Sequence, residues 1–449
     1  MIQMTLAQAA ALLGTPSPTM DKPFRGLSID TRTIEPGNLF VAIKGERVDS
    51  HDLLAEAYQK GAAAALVMRA GDSPLPQIQV KDTVIAMGQL ASAWRQQHTL
   101  PVIAVTGSNG KTTLKNMIAS ILTAACQGDT TQVLATRGNF NNHFGLPLTL
   151  SRLDVTHRYA VIEMGMNHFG EIAYLTKLTR PQVAVITNAA SAHIEGVGSV
   201  AGVAEAKSEI FLGLPPNGIA ILNRDDAFFT FWREKIGQRP YLTFGFHPDA
   251  DISILSQETA TQELTLRTPK GNVAIHLPLL GKHNILNMLA AAAATFAVGI
   301  DLAAIQTGLE KVAPAPGRLQ MHTLPNGVKI IDDTYNANPV SLQAAVETLA
   351  TFTGKKILVL GDMKELGNEA TSLHHSAGEK IRQAGIDYLF TYGELSANTA
   401  QAFGEGAYHF NEQDKLVNAL KPFLYNQTTI LVKGSRSMRM EKVIAELIQ

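Results

Sequence analysis

The feature that most constrains the fold is a strand–turn–helix unit between residues 102 and 125. An apolar strand, Val102 to Val105, runs into the segment TGSNGKTT, and apolar side chains then recur at the i, i+3, i+4 and i+7 spacing of a helix. Gly107 and Gly110 let backbone N–H groups approach phosphate oxygens, and the start of the helix adds its dipole. The unit therefore predicts a phosphate-binding loop. Its residues are Gly107, Ser108, Asn109, Gly110, Lys111, Thr112 and Thr113.

Two side chains of this loop suit nucleotide binding. Lys111 can reach the β and γ phosphates of ATP, and the Thr112 hydroxyl can ligate Mg²⁺. Val105 stands where the usual pattern has its first glycine, so the loop is a shortened variant and a motor ATPase or a GTPase is less expected. The alternative interpretation is an ordinary strand-to-helix turn with an exposed lysine.

Further apolar runs extend this unit into an α/β fold. Strand-like runs end at Glu163, Thr187 and Leu222, with helical patterns around them, which indicates a parallel sheet covered on both faces. The segment VAPAPGR, Val312 to Arg318, is typical of a hinge, and the runs VKIID, KILVLGD, YLFTYG and TILVKGS after it predict a second doubly wound unit. Ligands bind beyond the carboxyl ends of the strands in such sheets. A swing at the hinge would bring the second unit onto the phosphate loop.

Three domains are expected from these patterns. Residues 1–98 form a small N-terminal α/β domain with strands at Leu39 to Ile43 and Ala64 to Met68 and a helix at Asp52 to Gly61. Residues 99–313 form a central P-loop-type domain with a parallel sheet, and residues 314–449 form a C-terminal Rossmann-like domain.

Composition argues against several classes of protein. A formal net charge of −1 over 449 residues gives no reason to expect a nucleic acid or a membrane surface as partner. The only cysteine, Cys126, lies on the apolar stripe of a predicted helix and is expected in the core, and no intrachain disulfide can form. The N-terminus lacks a basic signal-peptide region, and the longest apolar run, Met288 to Ile300, is too short to cross a bilayer. A cytoplasmic protein without membrane insertion is expected.

Three residues beyond the loop are candidates for metal binding or catalysis. Glu163 ends an apolar strand, so its carboxylate can face the phosphate loop and act as the oxygen ligand that a hard cation requires. A solvated glutamate at the strand end is the alternative. His193 lies in a loop of small residues, and Lys207 lies on a predicted helix. Taken alone, this histidine is more typical of a surface loop and this lysine of a solvated helix face.

Together these segments resemble the Mur ligase family. The motifs, in the family's order over nearly the whole chain, are GSNGKTT, ATRGNFNNHFGLPLTL, IEMGMNHFGEI, ITNAASAHIEGVGS, EAKSEIF, LGKHNILNMLAAAA, PGR and DDTYNANP. The resemblance implies an ATP-dependent amide-bond ligase with a UDP-binding N-terminal domain, a central ATPase domain and a C-terminal ligase domain. It assigns Lys111 to the γ phosphate and assigns Thr112 and Glu163 to one Mg²⁺. It assigns a second Mg²⁺ to His193 and to Lys207 carrying a carbamate, whose oxygens suit magnesium.

The resemblance also assigns residues to the nucleotide and to a UDP-linked precursor. It places Asn284 and Asn287 near the adenine, Arg318 at a phosphate and Asp333 at the ribose. Helix capping, a linker cation and strand-end solvation are the respective alternatives. The segment GLSIDTRTIEPGNLFVAIKGERVDSHDL resembles the UDP-binding domain of the two ligases that act last in peptidoglycan precursor synthesis. Candidates for uridine and diphosphate contacts are Ser28, Asp30, Thr31, Arg32 and Lys44.

Two motifs narrow the substrates within the family. DTYNANP and AHIEGVGS resemble the member that adds D-alanyl-D-alanine to a UDP-N-acetylmuramoyl tripeptide through an acyl phosphate, using ATP and Mg²⁺. Members that add the third amino acid carry an Asn-Pro-Arg motif whose arginine binds a carboxylate, and Thr391 to Ala400 has no such motif. A monomer is expected, and the proton acceptor stays open between His193 and a nearby carboxylate.

Other functions stay possible on the sequence alone. They are another Mur-type ligase (the diaminopimelate or lysine adder, or a folylpolyglutamate ligase), a P-loop NTPase switch, and a nucleotide-binding module without ligase activity. A ligase of any kind requires an amine acceptor for turnover, a switch would hydrolyse ATP without one, and an inactive module would bind without turnover.

Overall fold

A computed structural model describes residues 1–190, 194–258 and 263–448 of the chain. Within these residues two six-stranded sheets dominate, accompanied by smaller sheets of four, three and two strands. The predicted α/β class, with two doubly wound units after residue 100, is confirmed.

The N-terminal part contains a four-stranded parallel sheet in the order β3-β4-β5-β6 and an antiparallel β1–β2 pair. The predicted strands at residues 39 and 64 are present, whereas the predicted helix at Asp52 begins as a 3₁₀ turn, Ser50–Leu53. The elements are β1 (Gln3–Thr5), α1 (Leu6–Leu13), β2 (Pro23–Arg25), β3 (Leu27–Ser28), β4 (Leu39–Val41), α2 (Leu54–Gln59), β5 (Ala64–Val67), β6 (Gln77–Gln79) and α3 (Thr83–Gln96).

The central part is built on a six-stranded sheet, all parallel, in the order β12-β11-β10-β7-β9-β8. Its first elements are β7 (Val102–Thr106), α4 (Lys111–Ala125), β8 (Val133–Ala135), α5 (Gly145–Ser151), β9 (Tyr159–Glu163), α6 (Glu171–Thr179), β10 (Val183–Ile186), α7 (Ile194–Val197) and α8 (Val200–Ser208). The others are β11 (Ile219–Asn223), α9 (Phe229–Lys235), β12 (Tyr241–Phe244), β13 (Ser253–Glu258), β14 (Glu263–Thr268), β15 (Gly271–His276), α10 (Lys282–Ala297) and α11 (Leu302–Glu310).

Both faces of the central sheet are buried, as the near-continuous apolar strands predict. Ile103 and Val105 of β7 pack with α4 and α10 on one face, while Ala104 between them packs with α5 and α6 on the other. Strand β7 lies between β9 and β10, with Val105 paired to Glu163 on one side and to Val185 on the other. The carboxyl ends of three strands therefore meet at one edge, beside the phosphate loop.

Two features of the central part complete its core. Cys126, directly after α4, is buried as predicted. The alanine-rich run that begins at Met288 lies largely in α10, which is apolar nearly all round because it packs between the sheet and two further helices, α4 and α11. Among the described helices, none combines the length and the apolar character needed to cross a membrane.

An antiparallel sheet of β13, β14 and β15 was not predicted. Most of β13 is exposed and β15 alternates weakly, so these two strands carry little signal in the sequence. Strand β14, ELTLRT, does alternate apolar with polar residues, and that signal was missed.

The C-terminal part is a second six-stranded sheet in the order β16-β17-β21-β18-β19-β20. All its strands are parallel except β16, an antiparallel edge strand that was not predicted. The elements are β16 (Gln320–Thr323), β17 (Lys329–Asp333), α12 (Pro339–Ala350), β18 (Lys355–Gly361), α13 (Ala370–Gln383), β19 (Tyr388–Tyr392), α14 (Ser396–Phe403), β20 (Ala407–Phe410), α15 (Gln413–Leu420), β21 (Thr428–Lys433) and α16 (Glu441–Ile448).

Candidate active site

A cavity of about 960 Å³ lies between the central and C-terminal sheets. The central part lines it with the phosphate loop, the residues after β10 and the start of α10, and the C-terminal part lines it with residues 317–319 and 333–341 and those after β21. This size suits a ligand as large as a nucleotide. The cavity lies at the carboxyl ends of the strands, where the sequence predicts the ligands to bind.

The phosphate loop has the backbone shape that its glycines permit. Gly107 has φ 151° and Gly110 has φ 83°, conformations that other residues rarely adopt. A Cβ on Gly107 would overlap the Thr187 hydroxyl, and one on Gly110 would overlap the Asn287 side chain. Gly110 is followed by α4, which begins at Lys111. The glycines are thus required both by the turn and by close packing around it.

Lys111 lies over the loop. Its Nζ donates to the carbonyl oxygens of Gly107 at 2.6 Å and Ser108 at 3.3 Å. Burial lowers the pKa of Lys111; attraction to Glu163 opposes this effect and repulsion by Arg318 adds to it. The alternative of an exposed turn lysine is therefore wrong, because the ammonium is held against the loop. Its contact with the γ phosphate stays a prediction.

Glu163 is buried at the end of β9 and is not a solvated strand-end residue. Its Oε1 accepts from Asn141 Nδ2 at 2.7 Å, whereas its Oε2 is buried without a hydrogen-bond partner among the described residues. Such an oxygen is costly to bury unless it binds something, and a metal ion is one such group. The backbone N–H of Glu163 donates to Thr136 Oγ1 at 2.9 Å, which fixes the strand end.

Lys115 was not predicted as a site residue. It is buried one turn after Lys111 on α4, and its Nζ donates to the Thr136 carbonyl at 2.8 Å. The same Thr136 supports Glu163 through its hydroxyl. The i, i+4 spacing of the two lysines was the available signal, because it places both on one helix face.

Lys207 is only 2% exposed on α8, so the solvated-helix alternative is wrong for this residue. Burial lowers the pKa of Lys207 well below that of a free lysine, and repulsion by Lys111 adds to the effect. No acceptor within the described ranges forms a hydrogen bond with its ammonium. His193, the other predicted ligand, lies outside the described residues.

The residues predicted around the nucleotide meet at the cavity. Asn284 and Asn287 are buried near the start of α10, and Asn284 Nδ2 donates to the Leu280 carbonyl at 2.7 Å. Neither asparagine caps the helix, because the N-cap is Gly281. The cavity lining includes both of them.

Arg318 and Asp333 approach the same cavity from the C-terminal side. Arg318 Nη2 donates to Thr112 Oγ1 at 3.3 Å, and the guanidinium lies 4.1 Å from the ring centre of Tyr335. Asp333 is paired with Lys433, whose Nζ lies 2.5 Å from Oδ2. Arg318 thus joins the C-terminal part to the phosphate loop, and its predicted contact with a phosphate stays a prediction. The pairing of Lys433 with Asp333 was not predicted.

The predicted UDP contacts lie apart from this cavity, and none of them lines it. Asp30 accepts from the backbone N–H of Arg32 at 2.9 Å and pairs with its guanidinium at 2.6 Å. That pairing lowers the pKa of Asp30. Ser28 and Thr31 are buried, while Lys44 is exposed. The assignment of these five residues to UDP stays a prediction.

Asp49, near Lys44, yields a prediction on stability. Its Oδ1 accepts from the backbone N–H of His51 at 3.0 Å and from His51 Nδ1 at 2.6 Å, and Arg69 lies 3.3 Å from Oδ2. These bonds, the backbone one first, lower the pKa of Asp49 from 3.8 to about 2. Because the folded-state pKa lies below the unfolded one, this stabilisation is present above about pH 4 and is lost as the pH falls towards 2.

We therefore expect Asp49→Asn to lower the melting temperature most at neutral pH. The difference from the wild type should shrink as the pH falls through the acidic window given by those two pKa values. Thermal unfolding followed by circular dichroism at a series of pH values measures it. An equal difference at every pH would contradict the prediction.

Comparison with known proteins agrees with this geometry. Three family models match the chain: "Mur ligase family, catalytic domain" over residues 23–95, "Mur ligase middle domain" over 105–295 and "Mur ligase, glutamate ligase domain" over 317–436. The UDP-N-acetylmuramoyl-tripeptide--D-alanyl-D-alanine ligase of Escherichia coli (strain K12) is 46% identical over 457 residues, which cover 100% of this chain and 99% of the relative. The chain belongs to the Mur ligase family.

Solved structures of Mur ligases share the whole architecture. A crystal structure of MurF from Acinetobacter baumannii has a TM-score of 0.92 at 35% identity and covers 100% of this chain and 99% of that one. MurF ligase from Thermotoga maritima, in complex with ADP, has a TM-score of 0.83 at 28% identity and covers 94% of this chain and 96% of that one. The predicted family is therefore confirmed, and with it an ATP-dependent ligase.

Proposed function

We propose that this Mur ligase joins D-alanyl-D-alanine to UDP-N-acetylmuramoyl tripeptide at the expense of ATP, giving the UDP-muramoyl pentapeptide of peptidoglycan synthesis. The observation that carries the proposal is the full-length identity of 46% to a relative named for that reaction. The cavity between the phosphate loop and the C-terminal sheet supports it, because ATP and an amine acceptor can meet there. A P-loop switch would hydrolyse ATP without an amine acceptor, whereas the proposed reaction requires one.

In the first step the terminal carboxylate of the tripeptide attacks the γ phosphorus of ATP. A new O–P bond forms, the bond from that phosphorus to the β,γ-bridging oxygen breaks, and an acyl phosphate and ADP result. Two anions meet in this step, so positive charge must be placed before they react. Lys111, Lys115 and Arg318 lie in or beside the loop and would supply this charge.

The residues present fit a magnesium ion. Glu163 has a buried oxygen without a partner in the described part of the chain, and the Thr112 hydroxyl lies at the start of α4. No group of three or more His, Cys, Asp or Glu side chains within those ranges could hold a metal. Mg²⁺ usually keeps several waters and binds through one or two protein carboxylates. Thr112 and Glu163 would hold one Mg²⁺, and His193 with a carbamate on Lys207 would hold a second. Bound Mg²⁺ would neutralise developing negative charge.

In the second step the amine of D-alanyl-D-alanine attacks the acyl carbonyl. A tetrahedral intermediate forms, its C–O bond to phosphate breaks, and inorganic phosphate leaves as the amide forms. The amine loses a proton, and its acceptor is open between His193 and a nearby carboxylate. The hinge at Val312 to Arg318 would let the C-terminal part close and keep water from the acyl phosphate.

The proposal also covers the domain boundaries, the oligomeric state and the cellular location of the protein. We assign residues 1–98 to UDP-precursor binding, 99–313 to ATP binding and 314–449 to the ligase domain. The gaps between α3 and β7 and between α11 and β16 support these limits. We assign the reaction to a monomer in the cytoplasm, acting without nucleic acid, and the near-neutral net charge favours the last point.

A phosphate-release assay tests the function. The purified protein with ATP, Mg²⁺ and UDP-muramoyl tripeptide is expected to release phosphate in proportion to amide product only when D-alanyl-D-alanine is present. Free diaminopimelate, lysine and glutamate should not replace the dipeptide. Phosphate release without any acceptor at the full rate, or amide formation with glutamate instead, would contradict the proposal.

A further inference from the structure

The carboxamide of Asn109, in the phosphate loop, has two ends with different surroundings. Its Oδ1 accepts from Asn338 Nδ2 at 2.9 Å, across the cavity from the C-terminal part. Its Nδ2 is buried and has no acceptor in the described part of the chain. An unpaired buried donor is costly, so this amide is suited to an acceptor that arrives with a ligand.

The backbone of Asn109 is held independently of that contact. Its N–H donates to Asn188 Oδ1 at 3.1 Å, and its carbonyl accepts from the Thr187 hydroxyl at 2.7 Å. The loop position is therefore set by the central part alone. Only the orientation of the side chain depends on the C-terminal part.

Asn338 decides which end of the Asn109 carboxamide is free. The oxygen and nitrogen of an amide have nearly the same shape, so the hydrogen-bond partner selects between the two flipped arrangements. A donor at Asn338 selects the arrangement in which Asn109 Nδ2 is unpaired. On the proposed function, the ligand groups that meet this loop would be phosphates, whose oxygens accept hydrogen bonds.

Asn338 is itself firmly placed. Its Oδ1 accepts from the backbone N–H of Ser341 at 2.8 Å as the N-cap of α12, which leaves Nδ2 for Asn109. The preceding residues are tied to the end of β21, because Lys433 Nζ donates to the Asn336 carbonyl at 3.0 Å and Ser435 Oγ donates to the Ala337 carbonyl at 3.3 Å. The donor is thus part of a rigid segment of the C-terminal sheet.

We propose that Asn338 is a positioning residue for phosphoryl transfer, which orients Asn109 so that its Nδ2 donates to a phosphate oxygen of the nucleotide or acyl phosphate. The orienting bond joins two parts of the chain, so the phosphate site is complete only when the C-terminal part lies against the loop. ATP then transfers its phosphoryl group only in the arrangement in which the C-terminal part also brings the amine acceptor to the site. This inference rests on the proposed function for its substrates.

A double-mutant cycle tests the proposal. Asn338→Ser keeps a good N-cap but removes the amide donor, and Asn109→Ala removes the oriented group. Each is expected to lower kcat/KM for ATP about tenfold, the factor for one hydrogen bond to a charged acceptor. The double variant should fall no further than Asn109→Ala, because Asn338 acts through Asn109. Gln343→Ala is the matched control on the same helix: Gln343 donates to the Glu347 carboxylate at 3.0 Å and does not line the cavity, so this variant should keep the wild-type kcat/KM.

Three outcomes overturn the proposal: wild-type kcat/KM in Asn338→Ser, losses that multiply in the double variant, or an equal loss in Gln343→Ala. If Asn338→Ser does not fold, Asn338→Asp keeps the cap acceptor and should show the same lack of additivity with Asn109→Ala. The two single variants and the double variant are also compared by their affinity for a non-hydrolysable ATP analogue, which calorimetry measures. A wild type that binds the analogue but forms no amide would refute the proposed function, while the cycle in affinity would still decide the role of Asn338.

Discussion

Lys111→Ala is expected to lower kcat by about 10²- to 10³-fold, because one preplaced cation at a transferring phosphoryl group contributes on that scale. The Lys111 ammonium lies 2.6 Å from the Gly107 carbonyl, and the loop that carries it lines the cavity. A charge in such a site acts with less screening than in water. Amide formation at saturating ATP and tripeptide measures the loss.

Two controls separate charge from structure. Lys111→Arg keeps the charge but not the compact ammonium, so it should recover only part of the rate. The melting temperature of Lys111→Ala should change little, because relief from burying the ammonium offsets the loss of its hydrogen bonds to Gly107 and Ser108. A Lys111→Ala protein that unfolds earlier and retains kcat would show that the lysine is structural and would contradict the assigned role.

The parts of the site that the sequence predicts are those specified by neighbouring residues. The loop from Gly107 to Thr113 is read from a strand, a glycine turn and a helix that follow one another within a few residues. Glu163 is predicted because it ends an apolar strand, and parallel strands bring their carboxyl ends together. These rules use only the order of residues along the chain and do not require knowledge of any particular long-range contact. The fold class was predicted for the same reason, from the alternation of strand and helix patterns.

The parts that the sequence does not predict depend on contacts between distant segments. Asn109 and Asn338 are 229 residues apart, and Lys433 and Asp333 are 100 residues apart. Each of these residues lies in the predicted loop or at the end of a predicted strand, but no local pattern indicates which distant residue it pairs with. The burial of Lys207 belongs to the same class, since its helix has only a weak apolar stripe and gave no sign of which face is covered.

The second large effect is expected at Lys207. A buried lysine is normally paired, yet Lys207 forms no hydrogen bond within the described ranges, and burial keeps its pKa well below that of a free lysine. The neutral amine that this favours is the form that adds carbon dioxide, giving a carbamate and releasing a proton. The product is an anion next to Lys111, so it removes the repulsion between two cations and provides oxygens that suit Mg²⁺.

Lys207→Ala is therefore expected to lower kcat about 10²-fold or more, as loss of a metal ligand does, and short carboxylates such as acetate should restore activity in a concentration-dependent way. Lys115→Ala is the matched control: this lysine is also buried beside Glu163, but its ammonium donates to the Thr136 carbonyl. A carboxylate cannot replace a donor, so acetate should not rescue that variant. Equal rescue of both variants, or of neither, would contradict the assignment of a carbamate to Lys207.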